Sequence, residues 1–82
     1  MPKLPSVSGA DVIRLLETLG YELVRQRGSH ARLRVATPAG EHNITVPMHK
    51  SIAKGTLNDI LSTVALRTGV SKDDLVGRLT RR

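Results

Sequence analysis

Residues 28–35 read Gly-Ser-His-Ala-Arg-Leu-Arg-Val, and the alternation within this run decides the fold. Side chains along a β-strand point alternately to the two faces of its sheet. The three apolar residues of the run are therefore predicted to face the core: Ala31, Leu33 and Val35. The polar residues between them then share the opposite face of the sheet: His30, Arg32 and Arg34.

A less regular strand is predicted before this run. Residues 21–26 alternate imperfectly, with Tyr21 and Leu23 on one face and Val24 on the other. The Arg-Gly pair at 27–28 indicates either a hairpin turn or a bulge between the two strands.

A third strand is predicted after it. Residues 37–40 read Thr-Pro-Ala-Gly, which is a turn signal, and residues 43–46 alternate until Pro47 ends the strand. His42 has the parity of Ile44, so we expect it to be a structural residue at the sheet edge, turned away from the face of the arginines.

A helix is predicted before the strands, over residues 9–19. Ser8 and Asp11 form a capping box at its start, and Gly20 is a typical stop signal at its end. Its apolar residues recur at helical spacing on one side: Val12, Leu15, Leu16 and Leu19.

Two more helices are predicted after the strands. One begins at residues 54–56 (Lys-Gly-Thr) and stops at Gly69, and the next opens with a second capping box, Ser71 and Asp74, and ends in the basic tail 78–82. Their apolar sides hold Leu57, Ile60, Leu61 and Val64 in the first, and Leu75, Val76 and Leu79 in the second.

This order predicts an α+β fold of α-β-β-β-α arrangement, in which helices cover one face of a three-stranded antiparallel sheet and a short C-terminal helix is added. A length of 82 residues predicts a single domain over 1–82, with its core in 8–69 and the extra helix in 71–80. The chain has no Cys, which is consistent with a reducing cytoplasmic location.

Positive charge is concentrated in the middle of the chain. Residues 25–54 hold six Lys or Arg and one acid, within a net charge of +6. Such an excess predicts an acidic partner, namely nucleic acid, an anionic membrane or an acidic protein. The membrane is the least favoured, because the basic residues do not line one face of an amphipathic helix. With Tyr21 as the one aromatic residue, base stacking on the sheet is disfavoured as well.

Three motifs resemble those of the HicA toxins, small mRNA interferases of bacterial and archaeal type II toxin–antitoxin systems. They are Tyr-Glu-Leu-Val-Arg-Gln-Arg-Gly-Ser-His at 21–30, Val-Pro-Met-His at 46–49 and Lys-Gly-Thr-Leu at 54–57. The resemblance extends over about residues 8–69, and the order and spacing of the motifs are more specific than any one of them.

The resemblance implies a double-stranded-RNA-binding-domain-like fold, ribonuclease activity on mRNA and inhibition by a HicB-type antitoxin. It places the functional histidine of the family at His30, with Gly28 and Ser29 as its motif neighbours. The His-rich stretch of the family corresponds to residues 47–49, with Met48 at a position that is often His. The third helix goes beyond the minimal family pattern.

The residue types also suggest RNA cleavage independently of this resemblance. RNA carries its own nucleophile, the 2′-hydroxyl, so cleavage needs a proton acceptor, a proton donor and cations for the developing charge. Histidine can exchange protons near neutral pH. Our hypothesis is that His30 is the general base or acid, and activation of water by His30 stays open. The candidate RNA-binding residues are Arg32, Arg34, Lys50, Lys54, Thr56 and His49.

Neither a metal ion nor another cofactor is expected. The histidines at 30, 42 and 49 have no carboxylate or thiolate at ligand spacing. The alternative to a nuclease is a non-catalytic double-stranded-RNA-binding module in which His30 is incidental. A DNA-binding or purely structural protein is less favoured, because neither long helix has a polar face suited to reading bases.

Overall fold

The computed structural model describes residues 4–80; residues 1–3 and 81–82, which include the last two arginines of the predicted basic tail, lie outside the described part. Its elements, in chain order, are α1 (Gly9–Thr18), β1 (Glu22–Arg27), β2 (His30–Thr37), β3 (Gly40–Pro47), α2 (Lys54–Thr68) and α3 (Lys72–Thr80). The strands form one antiparallel sheet in the order β1-β2-β3. The predicted α+β arrangement is therefore confirmed, and it is compatible with a double-stranded-RNA-binding-domain-like fold.

Helix α1 is bounded by the residues that the sequence indicates. The Ser8 hydroxyl accepts a hydrogen bond from the Asp11 N–H, and the Asp11 carboxylate accepts one from the Ser8 N–H, both at 3.1 Å. This bond from the Ser8 backbone holds the pKa of Asp11 below its usual value. At the other end Gly20 adopts a φ of +96°, which allows the Tyr21 N–H to reach the Leu16 carbonyl. The helix ends one residue earlier than predicted.

Helix α2 ends, and helix α3 begins, at the residues that the sequence indicates. Gly69 closes α2 in the left-handed conformation, with a φ of +78°, and its N–H donates to the Ala65 carbonyl. The Ser71 hydroxyl accepts a hydrogen bond from the Asp74 N–H at the start of α3. Among the described residues no helix combines the length and the apolarity needed to span a bilayer.

The core lies between the three helices and one face of the sheet. The apolar residues predicted to face the core from the helices and from β2 are buried, apart from Leu19 and Val35, which are half-buried, as is Ile44 on β3. The buried members are Val12, Leu15 and Leu16 from α1, Ala31 and Leu33 from β2, Leu57, Ile60, Leu61 and Val64 from α2, and Leu75, Val76 and Leu79 from α3. Within residues 4–80 no helix packs on the other side of the sheet, which we call the open face; His30, Arg32 and Arg34 are exposed on it, as predicted.

Strand β1 differs from the simple alternation predicted for residues 21–26. Leu23 lies opposite Leu33 on β2, but Arg25 lies opposite Arg32, so Val24 is one residue more than β2 can match. Val24 therefore forms a β-bulge, and the bulge reverses the face of the sheet to which each later residue of β1 points. Leu23 and Val24 are 42% and 40% exposed, so neither is a core residue.

Candidate active site

A two-residue turn places His30 at the first position of β2. Arg27 and His30 are the closing pair of the β1–β2 hairpin, and Gly28 and Ser29 connect them. Gly28 has a φ of +57° and Ser29 does not have a positive φ, which is the pattern of a type II′ turn. The motif neighbours of His30 therefore have a structural role that can be described: they fix where β2 begins.

The open face of β2 brings together three of the predicted site residues. His30, Arg32 and Arg34 follow each other at every second position, about 6.8 Å apart along an antiparallel strand. Their directly opposite neighbours on β3 are uncharged: Pro47, Thr45 and Asn43. No acidic residue of β3 therefore stands directly opposite this line of imidazole and guanidinium groups.

The arginines of the open face do not take part in ion pairs within the described residues. Over residues 4–80 the ion pairs are those of Arg14 with Asp11 and of Arg78 with Asp74, and both lie on helices. One acid, Glu22 on β1, lies opposite Arg34, but within the described residues it forms no ion pair with it. The guanidinium groups of this face, beside an exposed imidazole, form a surface suited to a polyanion.

The loop after β3 is held against the hairpin turn. The Met48 N–H donates to the Ser29 carbonyl at 2.6 Å, and the Gly9 N–H donates to the His49 carbonyl at 3.0 Å. A Cβ atom on Gly9 would lie 2.3 Å from the Pro47 carbonyl oxygen, so only glycine allows this approach. The exposed His49 side chain therefore belongs to a segment that is fixed next to the turn before His30.

The remaining predicted RNA-binding residues do not lie on a strand of the sheet. Lys50 is exposed in the loop, whereas Lys54 and Thr56 are exposed in the first turn of α2, within the helix layer. The Lys54 ammonium already donates a hydrogen bond to the Leu4 carbonyl. The N-cap of α2, Ala53, offers no side-chain hydrogen bond, so backbone N–H groups are left uncapped there.

His42 is a structural residue on the core side of the sheet. It is 7% exposed, and its Nδ1 lies 2.8 Å from the Tyr21 hydroxyl. Burial lowers the pKa of His42, and the positive charge of Arg67 acts in the same direction. Burial also raises the pKa of Tyr21. Across residues 4–80 no three His, Cys, Asp or Glu side chains are grouped as a metal site would require.

Two further arginines, Arg25 and Arg27, reach the open face and are absent from the predicted site. Arg25 lies opposite Arg32, and Arg27 lies opposite His30. Continued alternation from Leu23 would have put both on the core side of the sheet. The imperfect alternation of residues 23–24 was the signal, because a bulge reverses the parity of the residues that follow it.

Comparison with known proteins adds one finding. A family model described as the HicA toxin of bacterial toxin–antitoxin matches residues 9–66 of this 82-residue chain. The matched segment contains α1, the three strands and most of α2, and it ends before α3. No curated protein and no solved structure matches the chain.

Proposed function

The chain belongs to the HicA toxin family, and from that membership we propose that it is a type II toxin that cleaves mRNA with His30 and is inhibited by a HicB-type antitoxin. The observation that carries the proposal is the position of His30: exposed at the start of β2, on the face that also presents Arg32 and Arg34. The site of action would then be the cytoplasm, where mRNA is translated.

The chemistry assigned to His30 is one proton transfer. The 2′-oxygen of a ribose attacks the adjacent phosphorus, the bond from phosphorus to the 5′-oxygen breaks, and a 2′,3′-cyclic phosphate and a 5′-hydroxyl result. His30 either takes the proton of the 2′-hydroxyl or gives one to the 5′-oxygen, and solvent exchanges the other proton, because the face is open to water. Such a positioned group contributes about 10²–10⁴-fold to a rate.

The cations around His30 would serve the phosphate. Negative charge increases on the phosphoryl oxygens in the transition state, and fixed positive groups stabilise it without reorganisation. We assign this role to Arg32 and Arg34 on the open face. Lys50, Lys54 and Thr56 would bind more distant parts of the RNA, and His49, in the segment next to the turn before His30, would contact RNA beside the site. Gly28 and Ser29 support the site by shaping the turn.

The test is the substitution His30→Ala, with Gln26→Ala as its matched control. Gln26 is an exposed β1 residue that lies opposite the buried Ala31, off the open face. We expect His30→Ala to lower the cleavage rate of purified protein on RNA by about 10²–10⁴-fold, with an unchanged circular dichroism spectrum and melting temperature. Gln26→Ala should cleave like the parent protein.

Two outcomes would count against the proposal. A folded His30→Ala protein that still cleaves RNA and arrests growth would show that His30 is incidental. RNA binding without any product from the parent protein would instead favour the non-catalytic binding module. Analysis of the product ends also distinguishes attack by the 2′-oxygen from attack by water that His30 activates, because attack by water would leave no cyclic phosphate.

Removal of metal ions is a separate test of the same site. The proposed reaction uses an imidazole and guanidinium groups, so cleavage should persist at an unchanged rate in EDTA. The assay compares initial rates with and without the chelator, using a metal-dependent nuclease as a positive control for chelation. Loss of cleavage that returns with added divalent cation would contradict the metal-independent mechanism.

The antitoxin is proposed to cover the open face with acidic or hydroxyl side chains. Contacts of that kind would block His30 and neutralise the arginines, and they would weaken as salt screens them. We therefore expect the dissociation constant of the complex, measured by calorimetry, to rise steeply with ionic strength. A complex that is indifferent to salt would place the contact on apolar surface elsewhere.

A further inference from the structure

The β-bulge gives His30 an arginine as its direct cross-strand neighbour. Arg27 and His30 are paired residues at the end of the β1–β2 ladder. Residues opposite each other on antiparallel strands share a face, and their Cα atoms lie about 4.5–5.5 Å apart. Arg32, the nearest arginine on β2 itself, is further from His30, at about 6.8 Å along the strand.

Of the two residues that lie directly opposite His30, the one on β1 is positively charged and the one on β3 is not. On the β3 side, the residue opposite His30 is Pro47, which has no charge and no N–H to donate. The next row along the sheet places Arg25 opposite Arg32. Both β1 arginines are exposed, and neither takes part in an ion pair within residues 4–80.

Resting on the proposed function, we propose that Arg27 is a second catalytic residue, whose guanidinium holds the phosphate on which His30 acts. Arg25, which lies opposite Arg32, holds a neighbouring phosphate of the same RNA strand. A guanidinium presents parallel N–H donors that match two phosphoryl oxygens, which makes arginine better suited to this than lysine. The tight Gly28–Ser29 turn fixes Arg27 and His30 relative to each other.

The substitution Arg27→Gln tests this assignment, with Arg14→Gln as a control of equal charge change. Arg14 lies on α1, in the helix layer behind the sheet, with its side chain 70% exposed. Under single-turnover conditions with RNA at saturation, we expect Arg27→Gln to cleave about 10²–10³-fold more slowly, as when a donor to developing negative charge is removed. Arg14→Gln should cleave at the parent rate.

Arg27→Lys keeps the charge and loses the two-pronged geometry. Its cleavage rate at saturating RNA is expected to lie between those of the parent and Arg27→Gln. Because Arg27 is exposed, melting temperatures and circular dichroism of both variants should match the parent. This conservative variant also keeps the assignment testable if the Gln variant folds poorly.

Arg25→Gln should affect binding rather than the chemical step. The probe is an RNA with 2′-O-methyl groups, which lacks the nucleophile and so binds without being cleaved. Loss of one phosphate contact is expected to lower the slope of log affinity against log salt by about 0.7 for single-stranded RNA. The cleavage rate at saturation should stay within about twofold of the parent, as expected for lost ground-state binding.

The outcomes separate this inference from the proposed function. If His30→Ala abolishes cleavage while Arg27→Gln behaves like Arg14→Gln, the role of Arg27 is overturned and the nuclease proposal stands. An Arg27→Gln protein that binds more weakly but cleaves at the parent rate when saturated also overturns it, since Arg27 would then be a binding residue only. If the parent protein neither binds nor cleaves RNA, both proposals fall.

Discussion

Two histidines on adjacent strands show how position decides what a residue can do. His30 begins β2 on the open face and is exposed, whereas His42 faces the helices and is 7% exposed, bonded to the Tyr21 hydroxyl. Strand parity predicted this division correctly. It could not predict the Tyr21 partner, because that contact joins residues 21 positions apart and depends on how α1 meets the sheet.

The buried His42 makes stability depend on pH. Its folded pKa lies below the value of 6.5 that an unperturbed histidine has, so the unfolded chain takes up a proton first as the pH falls. Stability should therefore decrease as the pH drops below about 6.5, until it passes the folded pKa. Tyr21 has its pKa raised above 10.0, so stability should also decrease as the pH rises above about 10.

Urea denaturation at a series of pH values measures how the free energy of unfolding decreases towards acidic pH. The variant His42→Gln keeps a polar group near Tyr21 but has no proton to gain, so its loss of stability between neutral and mildly acidic pH should be smaller than that of the parent. The exposed His49 provides the control, since His49→Ala should keep the parent slope. Equal slopes for the His42→Gln variant and the parent would mean that other groups cause the acid sensitivity.

At the scale of elements, the sequence predicted helices and turns better than the register of β1. Capping residues and glycines act within a few positions, so Ser8, Gly20 and Gly69 could be interpreted without knowledge of the fold. A bulge is different, because it is defined by the partner strand. The sequence therefore predicted which β2 residues lie on the open face. It did not predict Arg25 and Arg27, because their place on that face depends on how β1 pairs with β2.

The approach of α1 to the loop after β3 gives a prediction at this scale. Ala at position 9 would put its Cβ 2.3 Å from the Pro47 carbonyl oxygen, so the loop must move. We expect Gly9→Ala to lower the free energy of unfolding by about 1–3 kcal/mol, the usual cost of overpacking. Hydrogen exchange of the Met48 amide, which bonds Ser29, should become faster.

Gly55→Ala is the matched control for this change. Gly55 also lies in the first turn of a helix, but nothing lies within 4 Å of the position its Cβ would take. Alanine is the better helix former by up to about 1 kcal/mol, so this variant should be as stable as the parent or more stable. If Gly9→Ala were equally harmless, the loop would not be fixed by its contact with α1.

At the scale of the whole molecule, α3 is part of the core although it lies beyond the segment that the family model matches. Leu75 is fully buried, and α3 packs against both α1 and α2. In a chain of 82 residues each buried side chain is a large share of the core. Matching the family over residues 9–66 therefore does not define the unit that folds.

This view predicts unequal effects for two leucines on neighbouring helices. Leu75→Ala should lower the free energy of unfolding by about 2–5 kcal/mol, as is usual for a buried leucine. The total for a chain of this size is about 4–12 kcal/mol, so much of the stability would be lost. Leu66 on α2 is 82% exposed, and Leu66→Ala should change stability by less than about 0.5 kcal/mol. The denaturation midpoints of the two variants test whether α3 contributes to the core. Similar midpoints would mean that it does not.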